Sequence, residues 1–317
     1  EPGVHRVRLS PTGAHFIDTF STIAAPSRMT LRRGNGSEVR ALGDGATPAM
    51  AEYAWGKAEL FTVFSGDGFD LPVSWVLPPG FDPAKQYPVI MSIYGGPDAG
   101  TVYNSWPGVQ AHYWAQRGVI TVRADHRGSG HFGKRATALM HRCLGKWEIA
   151  DYSAVAAWLR SQPFIAKERI GITGGSYGGY VTLMAMTAGV PAFNYGLASS
   201  SVSDWKLYDS VYTERFMDTP AENPDGYAQG AVLTHVEKYV GGLRITHGTM
   251  DDNVHLQNSI QVIDWLVSHN RSFEVMLYPN SRHGFLPAQR PHSTRETHDF
   301  WARTLLGTVN PHTGIPL

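Results

Sequence analysis

The apolar and polar positions of the chain follow two rhythms. Residues 1 to about 45 carry short alternating stretches, 15–20 and 29–33, separated by Ser, Pro and Gly turns and closing on Gly43-Asp44-Gly45. Period-two alternation marks half-buried strands. It predicts two or three β-strands that cannot bury a face alone, so something else must cover them. From about residue 58 the rhythm changes. Stretches 60–64 and 71–77 flank Gly66-Asp67-Gly68, a hairpin signal. Apolar strands over 89–94, 119–124, 169–173, 194–198, 243–247 and 273–278 then alternate with helix-length segments over 148–160, 177–188, 256–268 and 295–305. Continuous apolar strands separated by helices predict a mostly parallel sheet covered on both faces. Residues 46–317 therefore read as an α/β domain and residues 1–45 as a separate β-strand segment.

The sharpest chemical signal lies where strand 169–173 meets helix 177–188. Gly174, Ser176 and Gly178 form G-x-S-x-G there, and strand–turn–helix is the setting of a nucleophile elbow in an α/β-hydrolase fold. The plainer readings are a Gly-rich turn with a capping serine, or a phosphate loop. A phosphate loop would need the P-loop lysine or the G-x-G-x-x-G spacing, and neither is present. A serine hydroxyl needs a base, and the base needs an orienting carboxylate. In this fold the order along the chain is Ser, then Asp or Glu, then His. His283 follows the last strand in Pro-Asn-Ser-Arg-His-Gly-Phe and satisfies that order. His247 also ends a strand but precedes the acid candidates. His255, His269, His292 and His298 fall in or near helices. Asp251 and Asp252 share the loop after strand 243–247; one should orient the imidazole while the other caps the following helix, and the pattern does not choose between them.

An oxyanion needs donors. The backbone N–H of Tyr177, next after the serine, is one, and Tyr94 at the end of strand 89–94 offers its phenol as a second. Trp205, Tyr208 and Tyr212 recur at helical spacing. Such a stripe is ordinarily core packing. It follows a strand's carboxyl end, however, where ligands bind in open α/β sheets, so it predicts an aromatic-walled pocket for a compact apolar side chain. Asp125-His-Arg-Gly-Ser-Gly130 reads as a tight structural turn.

Composition narrows the partners. Lys+Arg 27 against Asp+Glu 27 leaves no net formal charge and no basic stripe for nucleic acid. No apolar run approaches the roughly 20 residues that span a bilayer. The single cysteine, Cys143, excludes an intrachain disulfide and a cysteine zinc cluster. H-E-x-x-H is absent, and His126 and His131 lack i, i+4 spacing, so no metal and no cofactor are expected. The chain opens at Glu1 rather than Met, which predicts a processed or truncated product.

Taken together, Gly174-Gly-Ser-Tyr-Gly-Gly-Tyr180, Asp125-His-Arg-Gly-Ser-Gly130, Tyr208-Asp-Ser-Val-Tyr-Thr-Glu-Arg215 and His247-Gly-Thr-Met-Asp-Asp-Asn-Val254 resemble the prolyl oligopeptidase family of serine peptidases, in its dipeptidyl peptidase IV branch. The resemblance implies a triad of Ser176, Asp251 and His283, with Tyr94 and Tyr177 at the oxyanion. It implies an S1 pocket for proline or alanine made by Val202, Trp205, Tyr208, Tyr212, Val254 and Tyr177. Asn253 would contact the carbonyl before P1, and Arg215 would support the site. The implied activity is release of N-terminal dipeptides from a peptide substrate, with a homodimer face at the final strands and last helix. The residues leave the compartment open, the family suggesting a periplasmic or secreted setting and a cytoplasmic one standing as the alternative. The family's N-terminal β-propeller carries a Glu-Glu ammonium clamp in this branch. This chain contains no Glu-Glu dipeptide, and residues 1–45 resemble only the last propeller strands, so a separate propeller domain or chain is an expected partner. A carboxylesterase or acylaminoacyl-type peptidase on the same triad, or an isolated catalytic fragment with relaxed specificity, is the rival expectation. A silent binding module is a third, which the ordered triad argues against.

Overall fold

The computed structural model describes residues 1–308. Its backbone separates into two compact units. One comprises Glu1–Phe61, Val73–Asp82 and Val102–Val122; the other comprises Thr62–Pro72, Pro83–Thr101 and the chain from Arg123 onward.

The first unit opens with an antiparallel sheet of four strands in chain order: β1 Val4–Leu9, β2 His15–Thr22, β3 Ala25–Arg33 and β4 Glu38–Asp44. Four is more than the two or three that the alternation predicts, and the reason is local. β1 reads Val-His-Arg-Val-Arg-Leu, with Val7 and Leu9 exposed, and β4 is exposed along its whole length, so neither strand buries a face. Only β2 and β3 bury residues, among them Asp18, Phe20 and Thr30. Asp18 is buried because it is paired: His5 Nδ1 lies 2.9 Å and Arg32 Nε 3.5 Å from its carboxylate. The same unit holds helix α1, Val109–Ala115, whose His112 stacks on Trp106 with ring centroids 4.6 Å apart.

The second unit carries the expected parallel layer. β7 Tyr87–Ser92, β9 Ile165–Gly175, β10 Tyr195–Ser199, β11 Gly242–Gly248 and β12 Glu274–Tyr278 pair parallel in the order β12-β11-β10-β9-β7. The remaining strands, β5 Lys57–Phe64, β6 Asp70–Leu77 and β8 Ile120–Ala124, each divide between the two units. Five of the six residues of β7 are buried, as a sheet covered on both faces requires. Its helices are α2 Gly133–Thr137, α3 Lys146–Ser161, α4 Tyr177–Ala185, α5 Ser210–Met217, α6 Pro224–Gly230, α7 Gln257–Ser268 and α8 Arg290–Trp301. Every residue of α4 is buried, which is why its sequence, Tyr-Gly-Gly-Tyr-Val-Thr-Leu-Met-Ala, is apolar on all sides. α8 begins five residues earlier than its expected start at 295 and passes into a π-helical turn, Ala302–Leu306. The architecture is an α/β-hydrolase fold.

Register decides where chemistry can occur. Ser199 pairs with Gly175 and with Thr246, and Gly248 pairs with Tyr278, so the carboxyl ends of β9, β10, β11 and β12 finish on one edge. Loops leaving those four strands converge by construction.

The Trp301 side chain is fully buried and lies against Gly171 of β9, where a β-carbon would overlap the indole. Trp301→Ala should cost about 3–5 kcal/mol of unfolding free energy. Trp265→Ala on α7, whose ring stacks on exposed His269, should cost under about 2 kcal/mol. Urea titrations of the two variants test this; equal losses would mean that α8 is not packed on the sheet as described.

Candidate active site

Ser176 stands between β9 and α4 with φ 59° and ψ −120°. Positive φ is costly for a residue with a β-carbon and is held here by its surroundings. The Ser176 N–H donates to Ser199 O at 2.9 Å, and Tyr180 N–H donates back to Ser176 O at 3.0 Å. The turn also needs glycine at 178, because a β-carbon there would sit 2.7 Å from Ile93 O at the end of β7. That close approach brings the elbow against Tyr94.

The base arrives from the loop after β12. His283 Nε2 lies 2.9 Å from Ser176 Oγ, and His283 Nδ1 lies 2.8 Å from Asp251 Oδ2. A carboxylate can only accept, so Nδ1 carries the proton and Nε2 offers its lone pair to the serine hydroxyl. Asp251 Oδ1 accepts from the N–H groups of Asn253, at 3.0 Å, and Val254, at 2.9 Å. Burial opposes the Asp251 charge. Hydrogen bonds from His247 and His283 and from the Asn253 N–H outweigh it, and hold the carboxyl well below the usual carboxylate range. Asp251 thus both orients the imidazole and braces its own loop. Asp252 does not cap α7 as one of the pair was expected to; it reaches the surface and pairs with Arg282 at 2.8 Å. The acid and base loops touch through their backbones at Gly248, where a β-carbon would overlap the carbonyls of Ser281 and Arg282.

The aromatic residues form a box rather than a single helical stripe. Trp205 lies on a 3₁₀ turn, Trp205–Leu207, Tyr208 ends that turn, and Tyr212 begins α5. Two aspartates set these angles: Asp204 accepts from Lys206 N–H at 2.9 Å and Asp209 from Tyr212 N–H at 2.8 Å. The Trp205 ring centroid lies 5.2 Å from that of Tyr177, 6.0 Å from Tyr208 and 6.1 Å from Tyr212. Val202 and Val254 are buried, and Tyr208 OH donates to Asn253 Oδ1 at 3.0 Å. Burial pushes the phenols of Tyr177, Tyr208 and Tyr212 up, so the box stays uncharged. Tyr94 is 38% exposed and its ring centroid lies 6.1 Å from that of Tyr177. Arg215 is exposed, with its guanidinium 5.1 Å from the Phe216 ring centroid.

Residues 106–308 match the model of the prolyl oligopeptidase family. The chain belongs to that family. It is similar to a probable dipeptidyl-aminopeptidase B of Ajellomyces capsulatus, 38% identical over 72% of this chain and 25% of that protein. The counterpart from Aspergillus clavatus is 34% identical over 89% of this chain and 32% of its own. Among solved structures, dipeptidyl peptidase 4 of Porphyromonas gingivalis superposes with a TM-score of 0.91 at 34% identity, covering 96% of this chain and 44% of that one. A putative dipeptidyl aminopeptidase IV from Bacteroides ovatus gives 0.88 at 31% identity, over 96% and 43%. The chain spans a quarter to a third of these curated relatives.

Three groups beside this family motif escape a reading of the sequence. Tyr180, the last residue of the elbow motif, packs on Trp205 with centroids 4.9 Å apart and donates its OH to Gly230 O at 2.8 Å. His247, passed over as a base, reaches Asp251. Glu148, on α3, accepts from Tyr177 OH at 2.6 Å and from Gly145 N–H at 2.9 Å. It is fully buried, and burial pushes its pKa up to about 7. The only sequence signal for Glu148 was a lone carboxylate at the start of an amphipathic helix. The Asp125–Gly130 turn is structural as expected. Arg127 binds Asp151 and Asp67, and Asp125 accepts from Thr101 N–H at 2.7 Å, steadying the loop that follows Tyr94.

Between an ordinary value of 4.5 and about 7, folded Glu148 keeps a proton that the unfolded chain releases. Its contribution to stability therefore falls as pH rises through that window, by up to about 3 kcal/mol. Glu148→Gln has no such proton. The stability of the parent chain relative to Glu148→Gln should fall between pH 5 and pH 7.5 in urea titrations. A gap that does not change with pH would place Glu148 in a more polar setting than described.

Proposed function

We propose that this chain is the catalytic part of a serine dipeptidyl peptidase, cleaving after a penultimate proline or alanine. The observation that carries the reading is the unbroken line Ser176 Oγ–His283 Nε2 at 2.9 Å and His283 Nδ1–Asp251 Oδ2 at 2.8 Å, opening beside the Tyr177–Trp205–Tyr208–Tyr212 box. His283 takes the serine proton as Oγ attacks the carbonyl, and Asp251 stabilises the resulting imidazolium. The Tyr177 N–H and the Tyr94 phenol accept the developing oxyanion by donating to it. His283 then protonates the leaving amine, and water repeats the sequence on the acyl-enzyme. The uncharged box takes the compact P1 ring, Asn253 addresses the preceding carbonyl, and Arg215 supports that wall.

Release of dipeptides also requires a counter-charge for the substrate ammonium. The absence of a Glu-Glu pair here, and the greater length of the relatives, support a clamp supplied by a β-propeller outside these residues. In this reading β1–β4, ending at Asp44, are the last strands before a catalytic domain over 46–317.

The test compares kcat/KM for Gly-Pro-anilide with that of its N-blocked counterpart, using Ser176→Ala as the blank. The reading expects proline-dependent turnover that falls at least 10³-fold, order of magnitude, in Ser176→Ala. Preference for the free amine should appear only where a propeller is present. Turnover indifferent to proline would point instead to a carboxylesterase or acylaminoacyl-type peptidase.

A further inference from the structure

Four nitrogens surround the Asp251 carboxylate, and the proposed mechanism uses only one of them. Two are backbone N–H groups of its own loop, on Oδ1. The other two meet Oδ2: His283 Nδ1 at 2.8 Å, and His247 Nε2 at 3.3 Å. The imidazole of His247 is completely buried at the end of β11. Its Nε2 also lies 2.8 Å from Val254 O, while Nδ1 lies 2.7 Å from Ser259 Oγ on α7. A backbone carbonyl and a carboxylate oxygen can only accept. Nε2 therefore carries a hydrogen, which it donates to Val254 O, and the same N–H edge lies against Asp251 Oδ2 at 3.3 Å. Ser259 meets the other face of the ring and fixes which nitrogen points at Asp251.

We propose that His247 is a positioning residue of the catalytic apparatus, acting through Asp251. The two backbone donors fix Oδ1 but leave the carboxylate plane free to tilt about the Cβ–Cγ bond. The buried His247 Nε2–H edge, 3.3 Å from Oδ2, opposes that tilt, and Oδ2 is the oxygen that sets the tautomer and direction of His283. His247 also holds Val254 O while the Val254 N–H holds Oδ1, so the carboxylate and one wall of the pocket move as a unit. Histidine suits the role because it offers a rigid ring N–H at depth with its other nitrogen satisfied, and without the rotamer freedom of a lysine. The inference rests on the Ser176–His283–Asp251 reading above.

The experiment measures, in the full chain, the second-order rate of fluorophosphonate labelling together with kcat and KM on Gly-Pro-anilide. His247→Leu keeps bulk but loses the N–H. His247→Gln returns an amide N–H near the position of Nε2. Ser259→Ala removes the partner that orients the ring. His247→Leu should lower labelling rate and kcat by roughly 10–100-fold while KM moves less than about threefold. His247→Gln should recover most of that loss, and Ser259→Ala should show a smaller fall of the same kind. A His247→Leu chain with labelling and kcat within twofold of the parent overturns the proposal. So does a loss that glutamine restores no better than leucine, since that would be packing alone. Should His247→Leu fail to fold, His247→Gln and Ser259→Ala decide: Ser259→Ala at parental kcat, or a glutamine variant as slow as Ser176→Ala, sinks it. If Ser176→Ala labels and turns over like the parent, the triad reading itself has failed and the role of His247 falls with it.

Discussion

The site depends on one hydrogen bond more than on any other, that from His283 Nδ1 to Asp251 Oδ2. An alcohol is a poor nucleophile at neutral pH, and a histidine in the wrong tautomer presents a hydrogen rather than a lone pair. The Asp251 charge that fixes the tautomer must survive complete burial of its side chain. Two backbone N–H groups and two imidazoles make that possible, so the loop over 251–254 and the end of β11 are shaped around one carboxylate. The parallel register brings that loop and the His283 loop to the same edge as the nucleophile elbow. Gly248 then lets the two loops touch.

A second buried carboxylate works under the opposite balance. Glu148 has three hydrogen-bond contacts, to the Tyr177 hydroxyl and the Gly145 N–H, yet among the described residues no ion pair reaches it, and burial wins. Asp251 accepts from His283 and two backbone N–H groups, with His247 3.3 Å away, and these contacts win. In both acids burial favours the neutral form, and the hydrogen bonds each receives decide how far that is offset. Their tasks also differ: Asp251 orients the His283 imidazole, and Glu148 anchors the ring of Tyr177, the residue next after Ser176.

Much of this was legible in the chain. The strand feeding Gly174-Gly-Ser-Tyr-Gly and the helix leaving it specify an elbow because only glycine tolerates the approach of Ile93 O at 178. His283 followed from chain order, and the structure brings it to Ser176. The choice between Asp251 and Asp252 was not available from pattern, since both occupy the same loop and only three-dimensional direction separates them. β1 and β4 were invisible because periodicity reports burial, and these strands bury almost nothing. Trp205 and Tyr212 fell at helical spacing although a turn divides them, since a 3₁₀ turn and the helix after it preserve similar spacing. His247 and Glu148 act through partners distant in sequence or across a loop, and no linear pattern records such contacts.

The most direct test of the account is to treat the chain with a fluorophosphonate and map the adduct by tandem mass spectrometry. The account predicts one phosphonylated residue, Ser176, with labelling nearly abolished in His283→Ala and strongly reduced in Asp251→Asn. Labelling at another serine, or labelling of Ser176 at the same rate without His283, would contradict it.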